Sequence, residues 1–264
     1  MINMENKRVW ITGASSGIGE ALAYEMAKAG ACVILSARTE KELERVRTSC
    51  HSPERHVVIP LDLEHYFELE EKANSVWEQQ GPIDILIHCG GISQRYLVAE
   101  SRLELDKKII DINFFGAIAL TRPVLHKMLQ RNSGHIAVVS SMLGLYGIQT
   151  RSAYSASKHA LRGYFESLRN ELFKTELGIT LIYPGYVNTH ITYNALLADG
   201  TSFGQLDKEH AHGISPDHCA QKIVRAIQRK KAVVVIAGAK ERFGAFLARF
   251  FPALFRRLSP RFEV

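Results

Sequence analysis

The chain has 264 residues, of which 46% are hydrophobic and 23% are charged, and its formal net charge is +6. These values are ordinary for one globular enzyme domain, and the length is sufficient to bury a substantial core. No run of 18 apolar residues occurs and residues 1–7 are polar, so the sequence predicts neither a membrane-spanning helix nor a signal peptide. The four cysteines have no Cys-x-x-Cys spacing, which predicts reduced thiols in a cytoplasmic protein.

Short apolar runs alternate with helical patterns along the chain. The predicted strands lie at about 8–12, 31–36, 56–60, 83–88, 134–140, 179–183 and 232–237. The predicted helices lie near 18–29, 39–49, 64–79, 101–111, 113–130, 151–175 and 216–229. This alternation predicts a single α/β domain built on a doubly wound, Rossmann-type parallel sheet of seven strands.

The first predicted strand runs into a glycine-rich turn. Gly13, Gly17 and Gly19 follow the apolar run Val9 to Ile11, and a helical pattern comes next. Glycines let a backbone turn sharply and approach a phosphate closely, and a helix N-terminus offers unpaired N–H groups to that phosphate. The turn therefore predicts a dinucleotide-binding site.

The same turn allows a second interpretation. Residues Gly13 to Gly17 fit Gly-x-Ser-x-Gly, the nucleophile elbow of the α/β-hydrolases, which would make the protein a serine esterase. An elbow should follow several strands, whereas this turn follows the first, and no second feature of the sequence supports an esterase.

The end of the second predicted strand indicates which dinucleotide binds. An acidic residue there would bond the ribose 2′-hydroxyl of NAD, but the sequence offers Arg38 and no acid. A guanidinium suits a 2′-phosphate because it makes bidentate, charge-assisted hydrogen bonds. The sequence thus predicts NADP(H), with NAD(H) as the less favoured cofactor. The alternative for Arg38 is a solvated arginine at the start of a helix.

A tyrosine and a lysine four residues apart form the candidate proton-transfer pair. Tyr154 and Lys158 fall in a predicted helix, so their side chains share one face. A free tyrosine has a pKa near about 10, and a neighbouring lysine charge is expected to lower it. A tyrosine tuned in this way can exchange a proton with a substrate oxygen. Alone, this spacing is also common in ordinary helices.

Thr12 to Gly19, taken with Tyr154-x-x-x-Lys158, resembles the short-chain dehydrogenase/reductase family, and the similarity runs from about residue 7 to about residue 237. The resemblance implies a sheet with strand order 3-2-1-4-5-6-7 and a homodimer or homotetramer. It implies a substrate-binding loop at about 188–215 within a catalytic domain formed by residues 1–238. The catalytic residues that it implies are Asn113, Ser141, Tyr154 and Lys158.

The resemblance also implies which residues contact the cofactor. Asp62 matches an adenine-contacting aspartate, and Pro184 to Thr189 match the segment beside the nicotinamide. The full expected set is Gly13, Ser15, Ser16, Gly17, Ile18, Gly19, Arg38, Asp62, Leu63, Gly90, Tyr154, Lys158, Pro184, Gly185, Val187 and Thr189.

A reaction follows from these roles. The expected enzyme transfers a hydride between NADP(H) and a carbonyl or secondary alcohol, with Tyr154 as the general acid or base. Ser141 stabilises the charge on the substrate oxygen, Lys158 also binds the nicotinamide ribose, and Asn113 holds a relay water. The apolar segment Ile191 to Leu197 indicates a lipophilic small-molecule substrate. The alternative is a non-catalytic, regulatory NADP(H)-binding protein on the same fold.

One segment departs from the family pattern. Where the family usually has Asn-Asn-Ala-Gly, this chain has His88-Cys89-Gly90-Gly91. The family's asparagine helps to hold the central strands together, so we expect a change in local stability and a structural, non-catalytic His88. His210 and His212 are only two residues apart in a predicted loop, and no metal site is expected.

Residues 239–264 form a predicted C-terminal extension. From residue 230 onward there are eight Lys or Arg and two acids, so this part of the chain carries the whole net charge of +6. Its apolar residues recur at helical spacing, and Pro252 should kink or split the helix. They are Phe243, Phe246, Leu247, Phe250, Phe251, Leu254, Phe255 and Leu258.

Three roles suit such a basic amphipathic segment. It can pack on its own domain or on a second subunit, lie on a membrane surface as a peripheral contact, or bind an acidic partner protein. One localised basic patch on a catalytic fold does not predict nucleic-acid binding.

Overall fold

A single parallel sheet of seven strands forms the centre of the protein, in a computed structural model that describes residues 1–205 and 212–261. The strand order is β3-β2-β1-β4-β5-β6-β7, which confirms the predicted topology. The strands are β1 Arg8–Thr12, β2 Cys32–Ser36, β3 Val57–Val58, β4 Ile85–His88, β5 His135–Val139, β6 Gly178–Pro184 and β7 Val233–Ile236.

Helices cover both faces of this sheet. They are α1 Gly17–Lys28, α2 Glu40–Ser49, α3 Leu69–Gln80, α4 Leu103–Ile110, α5 Gly116–Gln130, α6 Ser152–Glu171, α7 Pro216–Gln228, α8 Ala239–Phe250 and α9 Pro252–Leu258. Successive strand residues point to opposite faces, so Val9 and Ile11 join the core under α1, α2 and α7 while Trp10 joins the core under α3, α5 and α6. Continuous apolar runs in the strands reflect this burial on both sides.

Most predicted elements lie where the sequence places them, and the differences are at their ends. The strand predicted at 56–60 pairs only through Val57–Val58, at the edge of the sheet. The helix predicted from residue 64 begins at Leu69, after a 3₁₀ turn at Tyr66–Glu68. Helix α6 ends at Glu171 because Thr175 closes a turn onto the Leu172 carbonyl.

Helices α4 and α5 are continuous through a π-helical turn at Asp111–Phe115. The combined segment 103–130 is long and apolar enough to cross a membrane, although its charges break every run of 18 apolar residues. Half of its most apolar 18-residue window is buried inside this domain. We therefore interpret segment 103–130 as a core helix of this domain. Its hydropathy alone does not reveal that role.

The chain crosses from one side of the sheet to the other between β1 and β4. Strand β1 pairs in parallel with both β2 and β4, so the connections on its two sides run in opposite directions. Ligands of doubly wound folds bind at such a switch point, outside the carboxyl ends of the strands. Gly13 and the segment 88–91 both lie there, directly after β1 and β4.

His88 ties β4 to α5 at this point. Its Nε2 lies 2.8 Å from the Thr121 hydroxyl, which in turn donates to the Ala117 carbonyl within α5. Burial lowers the pKa of His88 to about 3 and that of His135, on the neighbouring strand, to about 4. Both rings are consequently neutral in the folded protein at physiological pH, and His88 has the structural role that the sequence predicts.

This burial makes the stability of the fold depend on pH. Since the unfolded chain protonates His88 near about pH 6.5 and the folded chain only near pH 3, stability is full above pH 6.5 and falls below it. Between about pH 7.5 and about pH 5.5, protonation of His88 in the unfolded chain lowers the free energy of unfolding by about 1.4 kcal/mol. We expect this loss to be absent from His88→Gln, whose side chain can still bond Thr121. Urea unfolding at the two pH values measures the difference.

The exposed His126, on the same helix α5, provides the matched control. His126→Gln should leave the pH dependence at the wild-type value. Equal pH dependence in the His88→Gln protein and the wild type would show that His88 is not buried in its neutral form.

Candidate active site

Close backbone contact between Gly13 and Gly90 shapes the floor of the site. Gly13 has φ +68°, and a Cβ there would lie 2.6 Å from the Cα of Gly90. The Thr12 hydroxyl accepts hydrogen bonds from the backbone N–H groups of Cys89 and Gly90, both at 3.3 Å. A side chain at Gly13 would therefore push the two strand ends apart.

The remaining residues of the glycine turn surround the start of α1. Ser16 occupies the N-cap position, and its side chain makes no capping hydrogen bond to the first helical turn. Gly19 lies so close to the Gly13 carbonyl that a Cβ would be 2.0 Å from it. The first-turn N–H groups of α1 are thus not satisfied by its own cap and face the switch point. Ser15 precedes the cap residue, and Ile18 lies in this first turn.

Two further expected cofactor segments, 184–189 and 62–63, lie near the glycine turn or the adjoining Gly90. The Thr189 methyl lies 3.1 Å from the position of a Cβ on Gly17, so the segment after β6 reaches the glycine turn. Pro184 ends β6, Gly185 follows it, and Val187 is buried and bridged to Ile214. Asp62 accepts a hydrogen bond from the Glu64 N–H at 3.0 Å. The Leu63 side chain packs against Gly90.

Arg38 and Arg45 are the two arginines nearest to this end of β2, and they differ in pairing. Arg45 pairs with Glu20 at 2.7 Å and with Glu42 at 2.8 Å, and it donates to the Ser15 carbonyl. Arg38 is exposed just beyond β2 and forms no ion pair with any residue in the described ranges 1–205 and 212–261. The Arg45 guanidinium is thus used in ion pairs within the protein, while the Arg38 guanidinium can pair with a bound anion.

Ser141, Tyr154 and Lys158 converge at the carboxyl end of β5. Tyr154 and Lys158 lie on α6, both more than nine-tenths buried. The Ser141 side chain lies close enough to the Tyr154 phenol to lower its pKa. The Lys158 ammonium lies 5.5 Å from the centre of the Tyr154 ring and donates to the Val139 carbonyl at 3.1 Å. The three residues predicted to share the chemistry are therefore brought together.

The ionisation of this group differs from the sequence expectation in one respect. Burial raises the pKa of the Tyr154 phenol, and the Ser141 hydrogen bond and the Arg151 charge oppose that rise. Burial also lowers the pKa of Lys158 to about 8. The expectation that Lys158 lowers the pKa of Tyr154 is wrong for this arrangement, because burial dominates and the lowering charge comes from Arg151.

Asn113 is fixed by the π-helical turn between α4 and α5. Its side-chain amide donates to the Ile92 carbonyl at 2.9 Å and to the Ser157 hydroxyl at 3.0 Å. Its Oδ1 accepts from the Ile92 N–H at 2.8 Å, and it lies beside Gly91 next to Lys158. Both amide donors are used, so one lone pair on Oδ1 is what the side chain has left for a water.

Two buried residues that the sequence analysis missed contact the start of α6. Gln94 accepts a hydrogen bond from the Tyr154 N–H at 2.9 Å, and Arg151 donates to the Ser93 hydroxyl at 3.3 Å and to the Gln94 carbonyl. No periodic pattern or motif singles them out, because their partners are about 58 residues away in the sequence. Only the packing of the segment after β4 against the start of α6 reveals them.

The segment predicted to bind substrate is described up to residue 205 and again from residue 212. Leu196 bridges to Gln94 and to Ser202, which ties the first part of this segment to the site. His210 lies outside the described residues. Within those described, no group of three or more potential metal ligands occurs, His212 included.

The C-terminal extension packs along the rim of the site. Glu241 accepts hydrogen bonds from the N–H groups of Gly238 at 2.5 Å and Tyr186 at 2.7 Å, and it lies against Gly185. The rings of Phe255 and Tyr146 are 5.5 Å apart in an edge-to-face contact. Pro252 splits the extension into α8 and α9, as the sequence predicts. One face of the extension therefore packs on its own domain.

The sequence model of the family described as short chain dehydrogenase matches residues 7–198. The chain belongs to the short-chain dehydrogenase family. It is 38% identical over 260 residues to a "Dehydrogenase/reductase SDR family protein 7-like" of Drosophila melanogaster, covering 96% of this chain and 79% of that protein. It is 35% identical over 266 residues to "Dehydrogenase/reductase SDR family member 7B" of Danio rerio, covering 97% and 85%.

A solved short-chain dehydrogenase from Streptomyces avermitilis has the same fold. The TM-score is 0.80 at 26% identity, and the alignment covers 96% of each chain. Membership in this family makes the protein an oxidoreductase with a Rossmann-type nucleotide-binding fold that holds a nicotinamide cofactor. The esterase interpretation of the glycine turn is wrong, since the turn follows the first strand and serves this fold.

Proposed function

We propose that the protein is an NADP(H)-dependent reductase or dehydrogenase that acts on a lipophilic carbonyl or its secondary alcohol. The observation that supports it most strongly is the cluster of Ser141, Tyr154 and Lys158, in which Tyr154 and Lys158 are buried and Ser141 lies close enough to lower the pKa of the Tyr154 phenol. A regulatory, non-catalytic relative would have no need for this complete set, so catalysis is the favoured function.

The residues around the switch point fit a nicotinamide dinucleotide. The glycine turn permits close approach, and the uncapped start of α1 suits the pyrophosphate. In this proposal Gly13 to Gly19 hold the pyrophosphate, Asp62 and Leu63 border the adenine, and Pro184 to Thr189 border the nicotinamide. When bound, the cofactor supplies or accepts the hydride.

Each catalytic side chain has a separate task in the proposed reaction. Ser141 donates a hydrogen bond to the substrate oxygen as negative charge develops there. Tyr154 gives its proton to that oxygen during reduction and takes it back during oxidation. Lys158, protonated below its pKa of about 8, holds the ribose hydroxyls and replaces the tyrosine proton. The free lone pair of Asn113 orients a water that connects Lys158 to solvent.

Removal of the phenolic hydroxyl tests this assignment. We expect Tyr154→Phe to lower kcat by at least roughly a hundredfold, the scale of general acid catalysis, while NADPH binds with unchanged affinity. Activity is followed by NADPH absorbance over a panel of aliphatic, steroid-like and retinoid-like ketones. Tyr164→Phe, on the same helix but facing away from Ser141, is the control. Full activity in the Tyr154 variant contradicts the proposal.

The preference for NADP(H) rests on Arg38. Its exposed guanidinium, at the end of β2 beside the glycine turn, has no ion pair among the described residues, and no acid stands there to bond a 2′-hydroxyl. Arg45 is already paired with Glu20 and Glu42 and is less suited to the phosphate. A free, planar guanidinium gives bidentate recognition that a hydroxyl does not provide.

A charge reversal measures this preference. Arg38→Asp should weaken NADPH binding at least roughly tenfold and reduce the ratio of NADPH to NADH affinity, because one charge-assisted contact is worth about 1.5–3 kcal/mol. Titration by protein fluorescence gives both dissociation constants. Lys41→Asp, an exposed charge reversal in α2, controls for general electrostatics. Equal affinity of the wild type for NADH and NADPH rules the preference out.

We also propose that the protein works in the cytoplasm as a homodimer or homotetramer, with peripheral contact to a membrane through the C-terminal extension. The outward face of α8 and α9 exposes a group of apolar side chains, each 46–60% exposed: Phe243, Phe246, Phe250, Phe251 and Leu254. Exposed basic residues surround them: Lys240, Arg249, Arg256 and Arg257. We call these nine residues the aromatic face.

A bilayer suits this face better than a second protein chain does. Phenylalanines inserted below basic residues match the acyl and anionic headgroup layers of a membrane surface. The opposite face, with Leu247 and Phe255, is already buried against the rim of the site. Docking would therefore bring the mouth of the site close to the bilayer, where a lipophilic carbonyl partitions.

Vesicle sedimentation of the full chain tests this contact. Phe246→Ser/Phe250→Ser should lose most binding to phosphatidylcholine vesicles containing phosphatidylserine. Arg256→Gln/Arg257→Gln should weaken binding about tenfold or more, at about 1 kcal/mol per basic residue. Phe173→Ser, an exposed aromatic far from the extension in sequence, is the control. Unchanged sedimentation, or a change of oligomeric state in the phenylalanine variant, would assign the face to a protein partner instead.

A further inference from the structure

The first turn of α6, which carries Tyr154, is capped by a residue from another segment. A helix leaves its first N–H groups without intrahelical partners, and a Ser, Thr, Asp or Asn at the cap position usually binds one of them. Here the cap position is occupied by Arg151, whose side chain makes no capping bond. The Tyr154 N–H, in the third helical position, instead donates to the Gln94 side-chain oxygen at 2.9 Å.

Gln94 holds this turn at two points. Its Nε2 donates to the Ser152 hydroxyl at 2.9 Å, so a single amide group spans the residues on both sides of Ala153. The side chain is fully buried, which excludes water as a competing partner. The backbone from which Tyr154 projects is therefore fixed relative to the segment after β4.

Arg151 closes the arrangement from the other direction. It is 4% exposed, and its guanidinium donates to the Gln94 carbonyl and to the Ser93 hydroxyl. Burying an arginine to this extent destabilises the fold unless its guanidinium is hydrogen-bonded. Its presence beside the site therefore points to a specific role. Its charge is permanent, since a guanidinium does not deprotonate in proteins.

Residues 93–95 also hydrogen-bond to the expected substrate loop. The Arg95 N–H donates to the Leu196 carbonyl at 2.8 Å, and the Leu196 N–H donates to the Ser93 carbonyl at 3.0 Å. Residues 93–95 thus connect the start of α6 with residues 195–196 on the opposite side of the site.

The groups that act electrostatically on the Tyr154 phenol can be named. Lys158 lies 5.5 Å from the ring centre on the same helix, and Arg151 lies one turn earlier. Cys89 approaches from the end of β4, and burial raises the pKa of its thiol to about 12, so it brings no charge. Burial raises the pKa of Tyr154, and of the charged groups Arg151 is the one that counteracts it.

We propose that Arg151 and Gln94 are positioning residues for Tyr154. Gln94 fixes its backbone by capping α6 from the neighbouring segment, and Arg151 holds Gln94 while placing a permanent positive charge near the phenol. This inference rests on the proposed function for the role of Tyr154, but it concerns the side chain's ionisation and order, which are measurable without turnover.

Ionisation of Tyr154 in the NADP⁺-saturated protein tests the charge of Arg151. Tyrosine labelled with ¹³C at Cζ gives one NMR signal per ring, and the Tyr154 signal is the one absent from Tyr154→Phe. We expect Arg151→Gln to move its titration midpoint upward by about one pH unit, since a lost positive charge disfavours the phenolate. Arg151→Lys, which keeps the charge, should stay near the wild type.

Arg162→Gln provides the matched control, because Arg162 lies on the same helix but pairs with Glu166 near the surface. An unshifted midpoint in Arg151→Gln would falsify the electrostatic part of the proposal.

Amide hydrogen exchange tests the capping part independently. Gln94→Ala should increase exchange of the Tyr154 amide at least roughly tenfold, because one buried hydrogen bond is worth about 0.5–1.5 kcal/mol and its loss frees the first turn. The backbone amides in the middle of α6 should exchange at the wild-type rate. Unchanged protection at Tyr154 overturns this part. A protein that passes both tests but reduces no carbonyl contradicts the proposed function alone.

Discussion

The close approach of the Gly13 and Gly90 backbones is the contact on which the rest of the site depends. It brings the carboxyl ends of β1 and β4 together at the point where the sheet changes direction. The Thr12 hydroxyl holds this contact by accepting two N–H groups from the segment after β4. That segment then continues to Gln94, so the glycine turn and helix α6 are both supported by the segment after β4.

Burial sets the electrostatics of the site more strongly than any single pair of charges. It raises the pKa of Tyr154 and lowers that of Lys158 to about 8, which makes the lysine ammonium a stronger acid than the tyrosine phenol. Transfer of a proton from the Lys158 ammonium to a Tyr154 phenolate is therefore favourable, which suits the proposed role of Lys158 in replacing the tyrosine proton. Burial also keeps His88 neutral at the end of β4, where the hydroxyl of Thr121 on α5 holds its ring in place.

The C-terminal extension combines two surfaces in one short segment. Its inner side, through Glu241, Leu247 and Phe255, packs against the loop that follows β5 and the segment that follows β6. Its outer side leaves phenylalanines and arginines exposed together. The C-terminal extension thus contacts the rim of the site with its inner side. With its outer side it exposes an apolar, basic surface to the surroundings.

The sequence alone determined the α/β fold, the glycine turn and the shared helix face of Tyr154 and Lys158. These features rest on short-range patterns, namely strand and helix periodicity, glycine spacing and residues four apart on one helix. Their interpretation needs no knowledge of distant contacts. The family resemblance then indicated the strand order and the place of Ser141 in the site, both of which local patterns leave open.

Only the tertiary structure decided how the site is supported and charged. Gln94 and Arg151 meet at the start of α6 although they are 57 residues apart, and no pattern in the sequence pairs them. The direction of the Tyr154 pKa shift depends on burial by several separate segments, so a spacing rule that considers Lys158 alone predicts the wrong sign. Likewise, amphipathic periodicity finds the C-terminal helix, but packing decides which of its apolar residues remain exposed.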